Sequence, residues 1–114
     1  MADRICYFEL FAADLEQSSR FYHDLFDWEL TASGPEYRMI KIEGGIGGGL
    51  FTADEPKERV RCYLEVDDIE ARLAKIAAAG GTVVTGKTLI SEEYGYFALF
   101  RDPAGNLLGL VGAS

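Results

Sequence analysis

Few residues in this chain could carry covalent chemistry. It has one histidine, His23, and no serine or cysteine stands where that histidine could activate it as a nucleophile. The glycine-rich run GGIGGGL lacks the Lys-Ser/Thr of a phosphate-binding loop, and no helical pattern follows it. More telling are two short alternating segments, Cys6-Tyr7-Phe8-Glu9-Leu10-Phe11 and Arg61-Cys62-Tyr63-Leu64-Glu65-Val66. Side chains on a strand alternate between faces, so Cys6, Phe8 and Leu10, like Cys62, Leu64 and Val66, form apolar faces. The opposite faces carry Tyr7, Glu9 and Phe11 in one segment and Arg61, Tyr63 and Glu65 in the other. A guanidinium with carboxylates and phenols nearby can anchor a small acidic molecule. A buried carboxylate such as Glu9 could also act as a proton-abstracting base, if burial raised its pKa. Glu9 and Arg61 could equally hold each other as a structural ion pair.

The elements that position these residues occur twice. Asp14-Leu15-Glu16 superposes on Asp68-Ile69-Glu70 with an offset of 54 residues, and each follows an alternating strand. The first helix is predicted from about Leu15 to Phe26, capped by Asp14 with Gln17 three residues on, and with Leu15, Tyr22, Leu25 and Phe26 on one face. The second is predicted from about Ile69 to Ala79, capped by Asp67 or Asp68, striped by Ile69, Leu73 and Ile76, and stopped by Gly80-Gly81. Three strand-like runs follow each helix: Trp28–Ser33, Tyr37–Glu43 and Gly47–Thr52, then Thr82–Gly86, Gly95–Arg101 and Asn106–Val111. Asp102-Pro103-Ala104-Gly105-Asn106 reads as a turn. One domain over residues 1–114 is expected, made of βαβββ halves at about 3–53 and 59–113 with the charged stretch Ala53–Arg59 as linker.

Composition narrows the partners. Eleven basic residues against nineteen acidic ones give a net charge of −8, which repels phosphate backbones, so no nucleic-acid partner is expected. No apolar run approaches the ~20 residues of a membrane span. MADRICYFELF does not have the pattern of a secretory leader, and Cys6 and Cys62 sit in strand-like runs as reduced, buried thiols would. A cytoplasmic location is expected.

AADLEQSSRFYHDLFDW in the first half, and VDDIEARLAKIAAAGG, GYFALF and RDPAGNLLGL in the second, resemble the vicinal oxygen chelate superfamily of glyoxalase, bleomycin-resistance and extradiol dioxygenase proteins. FYHDLFDW is similar to that family's FY-x-x-LFGW helix end, and RDPAGNLLGL to its DP-x-GN-x-x-E/G-L hairpin. The resemblance implies an α+β fold in which two βαβββ modules form a cupped, mostly antiparallel eight-stranded sheet with helices on its convex face. It also implies a homodimer, whose pairing would cover open strand edges.

Family metal sites take one His or Glu from each of four strands. The resemblance puts Tyr7, Arg61, Gly109 and the Gly47-Gly48-Gly49 run at those positions, so no metal ligands, no cofactor and no catalytic residue are assigned. His23 is expected at the surface and Trp28 in the core. In the cup the candidate ligand-binding residues are Tyr7, Glu9, Phe51, Arg61, Tyr63 and Tyr96, with Tyr94 near the rim and Gly47, Gly49 and Gly109 on the floor. Glycine there either leaves room for a ligand or relieves crowding in coiled strands. The reading is a small-molecule-binding protein, bleomycin-resistance-like, whose ligand is acidic or aromatic. The alternatives are a metal-dependent lyase or a metal-free isomerase with Glu9 as base.

Overall fold

The structure, a computed structural model, describes residues 2–54 and 58–114, so the expected linker at 53–59 lies partly outside the described residues. The fold is α+β, and the described residues form eight strands and two helices. They divide into two compact units, Cys6–Arg61 and Cys62–Ser114, the latter joined by the N-terminal segment ending at Ile5. Residues 59–61 therefore group with the first half, where the Phe11 amide donates to the Arg59 carbonyl at 2.8 Å. Arg4 groups with the second half, its carbonyl accepting from the Glu65 amide at 3.0 Å. None of the helices is long and apolar enough to cross a membrane, among the described residues.

In the N-terminal unit β1 (Ile5–Phe11) leads into α1 (Leu15–Phe26), then β2 (Glu29–Ala32), β3 (Tyr37–Lys41) and β4 (Gly47–Phe51). The strand order is β2-β3-β4-β1, with β1 parallel to β4 and the other two pairings antiparallel. Asp14 caps α1 by accepting from the Gln17 amide at 3.0 Å, satisfying one of the donors a helix start leaves unpaired. The helix faces a core of Ala12, Ile40 and Leu50, to which Phe8, Leu10, Leu15, Tyr22 and Trp28 add partly buried surface. Tyr22 stacks on Trp28 with ring centroids 4.9 Å apart.

The expected apolar stripe on α1 needs correcting at its end. Leu25 and Phe26 are 61% and 58% exposed, while Ser19 is buried. At 100° per residue Leu25 stands about 80° off the line of Leu15. Ser19 tolerates burial because Arg38 donates to its hydroxyl at 3.0 Å and also reaches Glu16 at 3.3 Å. His23 is exposed as expected, and its Nδ1 donates to the Trp28 carbonyl at 3.0 Å. Asp27 ends the helix in the left-handed region at φ 62°, where the family motif has glycine.

The C-terminal unit repeats the plan: β5 (Val60–Glu65), α2 (Ile69–Ala78), β6 (Thr82–Ser91), β7 (Gly95–Arg101) and β8 (Leu107–Gly112), in the order β5-β8-β7-β6. Asp68 is the cap, accepting from the Ala71 amide at 3.0 Å. Ile69, Leu73 and Ile76 pack as expected against Val66, Ala98, Phe100 and Leu110. The end of β6 differs most from expectation. β6 continues five residues beyond Gly86, its ladder with β7 interrupted by register shifts, because bulges let it pass the Gly86-Lys87 breaker without leaving its partner. The turn before β8 is built by Asp102, whose carboxylate accepts from the Ala104 and Asn106 amides and the Asn106 side chain at 2.9–3.0 Å. Those bonds, the Asn106 side chain foremost, hold its carboxyl below the ordinary range.

Candidate functional site

The face of the N-terminal sheet turned away from α1 gathers the polar residues. β1 contributes Tyr7, Glu9 and Phe11, since Phe8 and Leu10 are committed to the core. β3 contributes Tyr37 and Met39, because Ile40 faces the core and Arg38 reaches α1. In register, Glu9 and Met39 flank Gly49, while Phe11 and Tyr37 flank Phe51. A Cβ at Gly49 would overlap the Tyr37 hydroxyl and ring, so the space that glycine leaves is filled by the protein's own tyrosine. Gly48 makes room on the other face, where a Cβ would meet the Phe8 ring at 2.6 Å.

A chain of polar contacts runs across this face. The Tyr37 hydroxyl donates to Glu9 Oε2 at 2.8 Å. The Tyr7 hydroxyl shares a hydrogen bond with that of Tyr37 at 2.7 Å. Burial, then the Tyr7 bond and the Glu9 charge, push the Tyr37 phenol far above its ordinary pKa of 10.0, so it stays neutral and a donor. Arg61 closes the chain: its Nε lies 3.5 Å from Glu9 Oε1, with side chains only 19% and 14% exposed. That distance exceeds a good N–H···O bond, and Arg61 Nε is buried without a hydrogen-bond partner among the described residues. The guanidinium carbon sits 5.5 Å from the Phe51 ring centroid.

Of the expected site residues, Tyr7, Glu9, Phe51 and Arg61 come together here. Tyr63 and Tyr96 belong to the C-terminal unit and lie on opposite faces of its sheet. Tyr63 is 7% exposed, and its ring occupies the space over its register partner Gly109. The expectation for Tyr96 is corrected: it packs with the helix-side core of Ala98 and Phe100, and Lys87 Nζ sits 4.4 Å over its ring. Tyr94 is exposed beside Glu65, Glu92 and Glu93 at a shallow cleft. Tyr37 was not among the expected residues, although alternation in β3 puts it opposite Ile40.

The residues present do not fit a family-type metal. Tyr7 and Arg61 occupy two ligand positions, and tyrosine rings fill the space over the glycines at the others. Arginine brings a permanent cation and no lone pair for a metal. Among the described residues no three His, Cys, Asp or Glu side chains converge where they could hold an ion. Cys6 and Cys62 form no disulfide with each other, and each is only partly buried.

Two βαβββ units of this kind are the fold of the glyoxalase/bleomycin-resistance/dioxygenase superfamily. Residues 7–111 match the family model described as a glyoxalase-like domain, and the chain belongs to that family. A Mycobacterium tuberculosis protein provisionally named glyoxylase CFP32 is 34% identical over 82 residues, a match covering 70% of this chain and 31% of that protein. The Mn(II)-bound glyoxalase of Novosphingobium aromaticivorans superposes with a TM-score of 0.76 at 23% identity, covering 98% of this chain and 40% of its own. A methylmalonyl-CoA epimerase variant of Streptomyces coelicolor, solved with 2-nitronate-propionyl-CoA, gives 0.76 at 19% identity, covering 100% and 99%. At such identities the two structures speak to fold alone.

Proposed function

We propose that this glyoxalase-like domain binds a small organic acid on the outer face of the N-terminal sheet, with Arg61 as the anchor and no divalent ion in the site. One observation carries the reading. Arg61 holds a buried, unbonded Nε, and its ion pair with Glu9 is long at 3.5 Å. A buried donor left without an acceptor is costly, and a ligand carboxylate would supply a forked, charge-assisted pair of bonds. In the empty protein Glu9 neutralises Arg61, and the acid displaces it. Glu9 as the base of an isomerase is the weaker reading, because its Oε2 already accepts the Tyr37 proton at 2.8 Å.

The test is a thermal-shift and calorimetric screen of small carboxylates and aromatic acids on wild type and Arg61→Ala. Wild type should be stabilised in proportion to ligand occupancy, and the shift should vanish in the variant. Stabilisation that survives Arg61→Ala rules this anchor out. Without ligand, Arg61→Ala should cost about 1–3 kcal/mol by stranding Glu9, and adding Glu9→Gln should recover part of it.

A further inference from the structure

Arg61 is not the only guanidinium over this face. Phe11 and Phe51 are register partners whose rings meet edge to face at 5.9 Å. Arg61 lies over Phe51, and the guanidinium carbon of Arg59 lies 5.0 Å from the Phe11 ring centroid. Arg59 lies in the bend just before β5 and Arg61 within it, and the rings beneath their guanidiniums have centroids 5.9 Å apart. Two cations are thus held side by side on two aromatic platforms, on one face of a chain whose net charge is −8. Glu9 answers only one of them, and Arg59 makes no ion pair among the described residues. Like charges so placed repel each other unless an anion spans both.

We propose that Arg59 and Arg61 form a two-point clamp for a small dicarboxylic acid whose acid groups are spaced like the two rings, 5.9 Å apart. The inference rests on Arg61 being the anchor and adds Arg59 as the residue that selects a second acid group. Arg61 takes the inner carboxylate beside Glu9 and Tyr37. Arg59, exposed at the rim, takes the outer one, and the phenyl rings keep both guanidiniums from swinging into solvent.

The experiment is calorimetric titration of the whole chain with glutarate and adipate, against butyrate as the one-acid control, in wild type, Arg59→Ala and Arg61→Lys. In wild type the better dicarboxylate should bind about tenfold more tightly than butyrate and lose affinity more steeply as salt rises. Arg59→Ala should bring it down to the butyrate level while leaving butyrate binding unchanged. Arg61→Lys, which keeps the charge but not the fork, should weaken every acid. If all three acids bind wild type equally, or if Arg59→Ala leaves the dicarboxylates' advantage intact, the clamp is overturned while the single-acid anchor stands. If none of the acids binds wild type at millimolar concentration, both readings are overturned.

Discussion

The two units share a plan and differ in what they do with it. Position 9 of the first repeat corresponds to position 63 of the second, and each pairs in register with a glycine, Gly49 or Gly109. In the C-terminal unit that position is Tyr63, and its own ring covers the glycine beside Leu99. In the N-terminal unit it is Glu9, and cover for the glycine comes from Tyr37, on β3, whose hydroxyl is then needed by the carboxylate. One exchange, tyrosine for glutamate, separates a glycine covered by its own register partner from one covered from the next strand beside a carboxylate. A duplicated fold can keep one copy as scaffold and free the other for binding, with the helix-side cores unchanged.

The largest expected effect tests that the cores are equivalent. Leu50 and Leu110 are 0% and 1% exposed at matching places, and each change to alanine should cost about 2–5 kcal/mol in urea unfolding. A loss confined to one of them would break the equivalence of the units.

Next come the glycines. Gly49→Ala and Gly109→Ala should each cost about 1–3 kcal/mol by driving a tyrosine ring aside. Only Gly49→Ala should also change carboxylate binding, because only there does the displaced ring bond to Glu9. Equal binding in the two variants would count against the division of labour.

The Tyr37 phenol sharpens the comparison through pH. Its folded pKa is raised above the 10.0 of the unfolded chain, so the native state holds a proton that the unfolded state releases. The stability this contributes is fully present below pH 10 and is lost as the pH climbs beyond it. Tyr37→Phe should flatten that alkaline decline in urea midpoints taken between pH 8 and pH 11, and should cost about 1 kcal/mol at neutral pH through the lost bond. An unchanged alkaline slope would remove Tyr37 as its source.

The smallest effect concerns the helix ends. After α2 the left-handed position is Gly80 at φ 99°, while α1 uses Asp27 at φ 62°. Asp27→Gly should stabilise by up to about 1 kcal/mol, and Gly80→Ala should destabilise by a similar amount. Thermal melts of the two variants should therefore move in opposite directions.

Much of this was legible in the sequence where a pattern had only one physical solution. The cap Asp14, the α2 stripe and the parity of β1 and β5 each follow from a charged or apolar residue with one place to go, whereas the choice between Asp67 and Asp68 was settled only by the bond from the Ala71 amide. β7 offered no such anchor. In GYFALFR both faces are apolar, so alternation alone could not decide whether Tyr96 or Phe97 joined the core. Tyr37 was within reach, because Ile40 fixes the parity of β3, yet its role depends on Gly49 being vacant two positions before Phe51. That pairing is a matter of register between strands and is absent from either segment read alone. The end of β6 was hidden for a related reason: a bulge is set by the partner strand.

The interruptions along β6 bear on what could pair with the last strand of the order. β6 ends the strand order and exposes Val84, Leu89 and Ile90, the kind of apolar border onto which a foreign strand can zip. Its pairing with β7 shifts register between Val83 and Thr85, between Thr85 and Thr88, and again between Leu89 and Ser91. An incoming strand would meet the same broken spacing of amides and carbonyls and could match only a few at a time. A broken ladder of this kind is among the devices that discourage one sheet edge from pairing with another.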